Sequence, residues 1–192
     1  MNVSGKNARN RYIFAAFFAA LIAVSGFFIV PLPAGVPIVL KNMFVVLSGV
    51  LLGGPRGCLA VLIFVAAGLA GIPVFVIPGG PGVFLTPLGG YILGYIAASL
   101  LAGLISGIPK VSEKKVTGLQ IFRIITASFF GFALILFCGS FYMTRLNALS
   151  LKAAIAAGTI PFLLTDAIKL FICVPLALRL RPIVARYING DA

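Results

Sequence analysis

LQIFRIITASFFGFALILFCGSFYM, running from Leu119 to Met143, contains one charged side chain, Arg123, close to its start. A helix rising 1.5 Å per residue needs about 20 mostly apolar residues to cross a hydrocarbon core of roughly 30 Å. This run meets that requirement. Further apolar runs precede it at Tyr12–Val30, Ile38–Leu52, Gly57–Ile72 and Phe84–Ile108, and one follows at Ser150–Leu180. Of the 192 residues, 61% are hydrophobic and only 9% are charged, whereas an ordinary soluble domain has roughly 25% charged residues. Such a chain cannot cover its own surface in water. The expectation is an all-α, polytopic integral membrane protein, a single domain over residues 1–192 with about six transmembrane helices. Lys6, Arg9 and Arg11 precede the first run as they would in a signal peptide. That run exceeds a signal core of about 7–15 residues and has no clear A-x-A exit site, so a retained helix is expected.

The net charge is +12, from 15 Lys and Arg against 3 Asp and Glu. In a soluble protein that excess would suggest nucleic acid. Here the cations flank apolar segments, where the positive-inside rule places them, and no nucleic-acid partner is expected. Lys6, Arg9, Arg11, Arg56, Lys110, Lys114, Lys115, Arg123, Arg179, Arg181 and Arg186 fall on one side. Lys41, Arg145 and Lys152 fall on the other. Both termini should therefore be cytoplasmic. Histidine is absent, and the acids are Glu113, Asp166 and Asp191. No His-based metal site, Ser-His-Asp triad or acidic dyad can be assembled, so neither an enzyme nor a metal protein is expected. Cys58, Cys138 and Cys173 all lie in apolar runs and read as packing residues.

Two outer connections are apolar and rich in proline and glycine: Pro31–Pro37, and Gly71–Gly90 with the sequence GIPVFVIPGGPGVFLTPLGG. Neither can continue a helix. Irregular apolar backbone at membrane depth survives only when buried in protein or lining a cavity. The segment is therefore either a re-entrant packing turn or a lid over a pocket, with Gly80 a position where backbone could approach a ligand. The GGPG run is no phosphate loop, because no GK[ST] follows it. In the first helix, Ala15 and Ala19, or Ala16 and Ala20, share a face at four-residue spacing. A small-xxx-small face serves close packing, either within the bundle or against a separate membrane subunit. In the last run, Asp166 and Lys169 lie three apart and share a helical face. Charges at membrane depth are costly and mark either a structural ion pair or a polar ligand site.

Three stretches together resemble a known family. GIPVFVIPGGPGVFLTPLGGYILGY, from Gly71, is similar to the G-L-P-V-F, glycine-rich and P-T-G-G-Y-L-x-G-F pattern of the biotin transporter BioY family. PFLLTDAIKLFICVPLALRLRP, from Pro161, resembles its P-F-L-P-G-D-x-x-K segment and R-L-R-P-type end. VPIVLKNMFVVLSGVLLGG, from Val36, resembles V-P-I-T-L-Q-T-x-F-V-L-L-A-G-x-L-L-G. Lys41-Asn42 stands where Gln-Thr is usual, Leu88 replaces the Thr of P-T-G-G, and Leu164-Thr165 replaces Pro-Gly.

The resemblance implies a six-helix, substrate-binding S-component of an energy-coupling factor (ECF) transporter in the cell membrane. Biotin would be its transported substrate, captured from outside, with no cofactor. It also implies a transmembrane coupling protein contacting the alanine face of the first helix, and a cytoplasmic ATPase pair supplying energy. The chain has no Walker motif of its own. For such a substrate, Phe75, Phe84 and Tyr91 are candidate aromatic walls, while Asp166 and Lys169 match the ureido ring. Lys169, Lys41 and Arg145 compete for the carboxylate, and Asn42 joins the candidate contacts beside Lys41.

Overall fold

The computed structural model describes residues 3–30, 38–75, 79–110 and 117–189. The Pro31–Pro37 connection, Val76, Ile77, Pro78, Glu113, Lys114, Lys115 and Asp191 lie outside the described residues, as does the side chain of Lys6. The helices are α1 (Val3–Ser25), α2 (Lys41–Leu52), α3 (Gly54–Leu69), α4 (Leu88–Ser106), α5 (Gly118–Leu146), α6 (Leu151–Gly158) and α7 (Ile160–Asn189). A 3-10 turn, Pro81–Leu85, leads into α4. A two-residue antiparallel ribbon pairs Ile29 with Val39 and Val30 with Ile38. The fold is thus helical, and among the described residues three helices, α4, α5 and α7, are long and apolar enough to cross a membrane. Helices α2 and α3 are shorter, at 12 and 16 residues.

The last apolar run differs from the single helix expected over Ser150–Leu180. It breaks at Thr159 into α6 and α7, and α7 continues to Asn189 through Pro175 and Pro182. The cause is local. Pro161 has no N–H, and its ring opposes the carbonyl four residues back. Phe162 N–H turns to Thr159 O, 3.0 Å. The Gly158 carbonyl, which Phe162 would have taken in a continuous helix, accepts from Tyr91 Oη at 2.8 Å instead. Thr159 Oγ1 meets Ser140 Oγ at 2.7 Å, fixing the break against α5.

Helices α2, α3 and α4 meet almost backbone to backbone. A Cβ at Gly49 would collide with the Ser99 carbonyl, one at Gly57 with the Gly49 backbone, and one at Gly103 with Gly54. Between lipid-facing helices no hydrophobic force drives association, so close van der Waals packing and hydrogen bonds must hold them. Ser48 Oγ and Ser99 Oγ, 2.9 Å apart, supply one such bond in the fully buried seam.

A second tie gathers helix ends. Arg181, expected among the interfacial cations, is only 1% exposed. Its guanidinium donates to Val50 O (2.6 Å), Ser106 O (3.1 Å) and Gly107 O (3.2 Å). These carbonyls belong to the last turns of α2 and α4, which have no intrahelical donor and present the negative end of the helix dipole. Asn10 Nδ2 donates to Tyr187 O at 2.8 Å, placing the start of α1 beside the end of α7. One end of the bundle therefore collects Arg11, Arg56 and Arg186.

The alanine stripes of α1 separate. Ala15 and Ala19 are buried in the core, whereas Ala16 and Ala20 are exposed beside Ile13 and Phe17.

Replacing Gly49 with Leu should lower the thermal unfolding midpoint or abolish the folded yield. Overpacking costs about 1–3 kcal/mol, and here backbone must move as well. Gly118→Ala, where a Cβ meets nothing within 4 Å, should leave the midpoint unchanged.

Candidate functional site

A cavity of about 190 Å³ opens between the ends of α2, α3, α4 and α7. Helix α2 contributes Lys41 and Asn42 from its first turn, α4 contributes Tyr91 and Tyr95, and α7 contributes Phe162 and Lys169. Phe64 of α3, Phe75 of the connection and Leu136 of α5 complete the wall. The lining is mostly aromatic and aliphatic with a few polar groups, the usual make-up of a small-molecule site.

Each polar group is held. Tyr95 Oη donates to Asn42 Oδ1 at 3.0 Å, leaving the Asn42 amide hydrogens available as donors. The Tyr91 hydroxyl is spent on Gly158 O, so its ring, edge-on to Phe162 at 6.4 Å, acts as an apolar wall. Phe75 is pinned edge-on to Phe64 at 5.5 Å and lies over Gly68, where a Cβ would strike its ring.

The two lysines differ in their pairing. Lys169, 1% exposed, donates to Asp166 Oδ1 at 2.7 Å. Lys41 is buried to 4% exposure and donates to Val74 O at 3.1 Å, with its ammonium 5.2 Å from the Phe64 ring centre. No carboxylate pairs with Lys41 among the described residues. A buried ammonium held only by a carbonyl and a ring face lacks the counter-charge that normally offsets its desolvation. An anionic ligand with an apolar body would provide it.

Of the residues expected at the site, the structure brings Lys41, Asn42, Phe75, Tyr91 and Lys169 onto one cavity. Four others sit elsewhere. Asp166 lies behind Lys169 and faces a separate groove between α5 and α7 lined by Phe129, Phe132, Leu136, Leu163 and Leu170. Its second oxygen, Oδ2, has no partner among the described residues. Arg145 is exposed at the end of α5, with its guanidinium 5.5 Å from the Phe141 ring centre. Phe84 is half-buried within the 3-10 turn, where its carbonyl accepts from Tyr142. Gly80 donates its N–H to Gly68 O at 2.7 Å and has φ +104°, a backbone conformation that favours glycine.

Several lining residues were not singled out from sequence. Tyr95 had a signal, since it follows Tyr91 by one helical turn, and so did Phe162, two turns before Lys169. Phe64 and Leu136 had none, being two apolar residues among many.

A sequence model of the BioY family matches residues 1–186. The chain belongs to the BioY family. It is 34% identical over 168 residues to the biotin transporter BioY of Thermotoga maritima, covering 87% of this chain and 93% of that protein. The biotin transporter BioY of Lactococcus lactis subsp. cremoris is 30% identical over 174 residues, 88% of each chain. Among solved structures, the crystal structure of the S-component for biotin from an ECF-type ABC transporter matches with a TM-score of 0.74 and 29% identity. That match covers 89% of this chain and 90% of the other. These BioY relatives are named as transporters, and with its apolar helices the chain is a multi-pass membrane protein.

Breaking the Asp166–Lys169 pair from one side should be costly. Lys169→Met leaves a buried unpaired carboxylate and should destabilise by about 3–5 kcal/mol. Adding Asp166→Asn should restore most of that loss, read as the unfolding midpoints of the parent, single and double variants.

Proposed function

We propose that this chain binds biotin at the outer face of the plasma membrane and carries it inward as the S-component of an ECF transporter. The observation that carries this reading is the buried Lys41 ammonium, without a carboxylate partner among the described residues, facing an aromatic cavity that also holds Lys169. Family membership and the names of the relatives support the choice of substrate.

In this reading Lys41 takes the valerate carboxylate, the one charged group biotin has. Lys169, oriented by Asp166, donates to the ureido carbonyl, and the Asn42 amide adds a donor. Phe64, Phe75, Tyr91 and Phe162 enclose the bicyclic body. A pocket whose polar groups are all matched by its ligand rejects analogues that leave them unpaired.

The chain forms one six-span domain built from α1 to α5 and α7, with both termini cytoplasmic, consistent with the cation distribution. A separate coupling protein docks against the exposed Ala16–Ala20 stripe of α1, and a cytoplasmic ATPase pair supplies the energy. Ala15 and Ala19 serve the bundle itself.

Equilibrium binding to the purified protein, with biotin set against thiamine and riboflavin, tests the substrate. Biotin alone should bind tightly; preference for another vitamin would reassign it. Lys41→Met should weaken biotin binding roughly 10- to 150-fold, the range expected on losing a hydrogen bond to a charged group. Ala16→Trp should leave binding intact while uptake by the assembled transporter falls. Loss of both together would show that Ala16 supports the bundle rather than docking.

A further inference from the structure

At the other end of the bundle, α1 and α3 border a second, open cavity of about 260 Å³, lined by Arg11, Tyr12, Pro55, Arg56 and Leu59. It shares no residue with the cavity that holds Lys41 and Lys169. Two guanidinium groups line it. Arg11 Nε and Arg56 Nη1 are buried nitrogens with no hydrogen-bond partner among the described residues. A donor in that condition is rare in folded proteins and calls for an acceptor.

The described residues do not supply one. Asp166, the only acidic side chain among the described residues, is engaged by Lys169. The first turn of α3 adds positive potential to the same spot, because its leading N–H groups lack intrahelical partners and no acid offsets them. Two like charges held together without an anion repel each other, so the geometry asks for a multivalent oxyanion. Two guanidiniums suit a phosphate, whose several oxygens can accept from both.

The surroundings indicate where the phosphate comes from. Further along α1, Ile13 and Phe17 are exposed, and along α3 Leu59 is half-buried and Ile63 exposed. Tyr12, 66% exposed, stands at the rim, the position an interfacial aromatic takes at headgroup level. Apolar surface leads away from the two arginines on the side that faces the bilayer. We propose that Arg11 and Arg56 form a binding site for the phosphate of an anionic membrane phospholipid, with its acyl chains lying along the exposed face of α3 and the neighbouring Ile13–Phe17 face of α1, beside the stripe assigned to the coupling protein. A soluble anion would use the arginines but not that apolar surface.

Native mass spectrometry of the detergent-released full chain tests this, with dioleoylphosphatidylglycerol and dioleoylphosphatidylcholine as probes. The parent should retain the anionic lipid at least about tenfold more than the zwitterionic one, the scale expected for two cations at a lipid surface. Arg11→Gln with Arg56→Gln should remove that preference. Folding of the variant is checked by monodisperse elution and an unchanged unfolding temperature in phosphatidylcholine, neither of which depends on the transported substrate. A folded double variant that keeps the parent's preference would overturn the site. Inorganic phosphate at tens of millimolar should not displace the bound lipid; displacement would assign the arginines to a soluble phosphate and overturn the lipid reading.

Discussion

The contact on which this bundle depends is the near-touching of backbones among α2, α3 and α4. Gly49, Gly57 and Gly103 leave no space for a Cβ, and Ser48 and Ser99 hydrogen-bond in the same seam. In a membrane the lipid tails are as apolar as leucine, so a looser interface would have little to hold it. With these helices so close, the first turn of α2 is set opposite the face of α4 that carries Tyr91 and Tyr95. The Tyr95–Asn42 bond spans that gap. The cavity is thus a consequence of the seam: the helices pack tightly along most of their length and part at one end.

The ends of the bundle are held by different means. At the basic end, Arg181 satisfies carbonyls from the last turns of α2 and α4, turning an interfacial cation into a buried tie. At the cavity end, the break at Thr159 supplies the tie. The Gly158 carbonyl released there is taken by Tyr91, which fixes the tyrosine ring as a wall. A proline that interrupts one helix therefore orients a side chain on another.

Lys41 and Lys169 illustrate how neighbours divide two similar residues into distinct roles. Asp166 neutralises Lys169 and fixes its direction, so the pair can be buried without a ligand. Among the described residues Lys41 has only a carbonyl and a ring face, with no carboxylate against its charge. Asp166, one of the few acids in the chain, acts from behind this site rather than on its surface.

Composition and spacing determined the helical membrane class, the apolar runs and the Asp166–Lys169 pair, because hydrophobic length and i,i+3 geometry are local properties. The three motif stretches were sufficient to indicate the family. Only the tertiary structure decided the rest. Small-residue spacing marked both alanine stripes equally, yet Ala15 and Ala19 entered the core while Ala16 and Ala20 stayed outside, a choice set by which neighbours surround α1. Gly80 and Phe84 belong to a conspicuous motif but serve the turn itself. Arg145 looked available for a carboxylate and instead sits outside the cavity, because the direction of the last turn of α5 depends on its packing against α4 and α6. Phe64 and Leu136 became walls for the same reason: a cavity is made of residues distant in sequence, and no local pattern records which apolar faces converge.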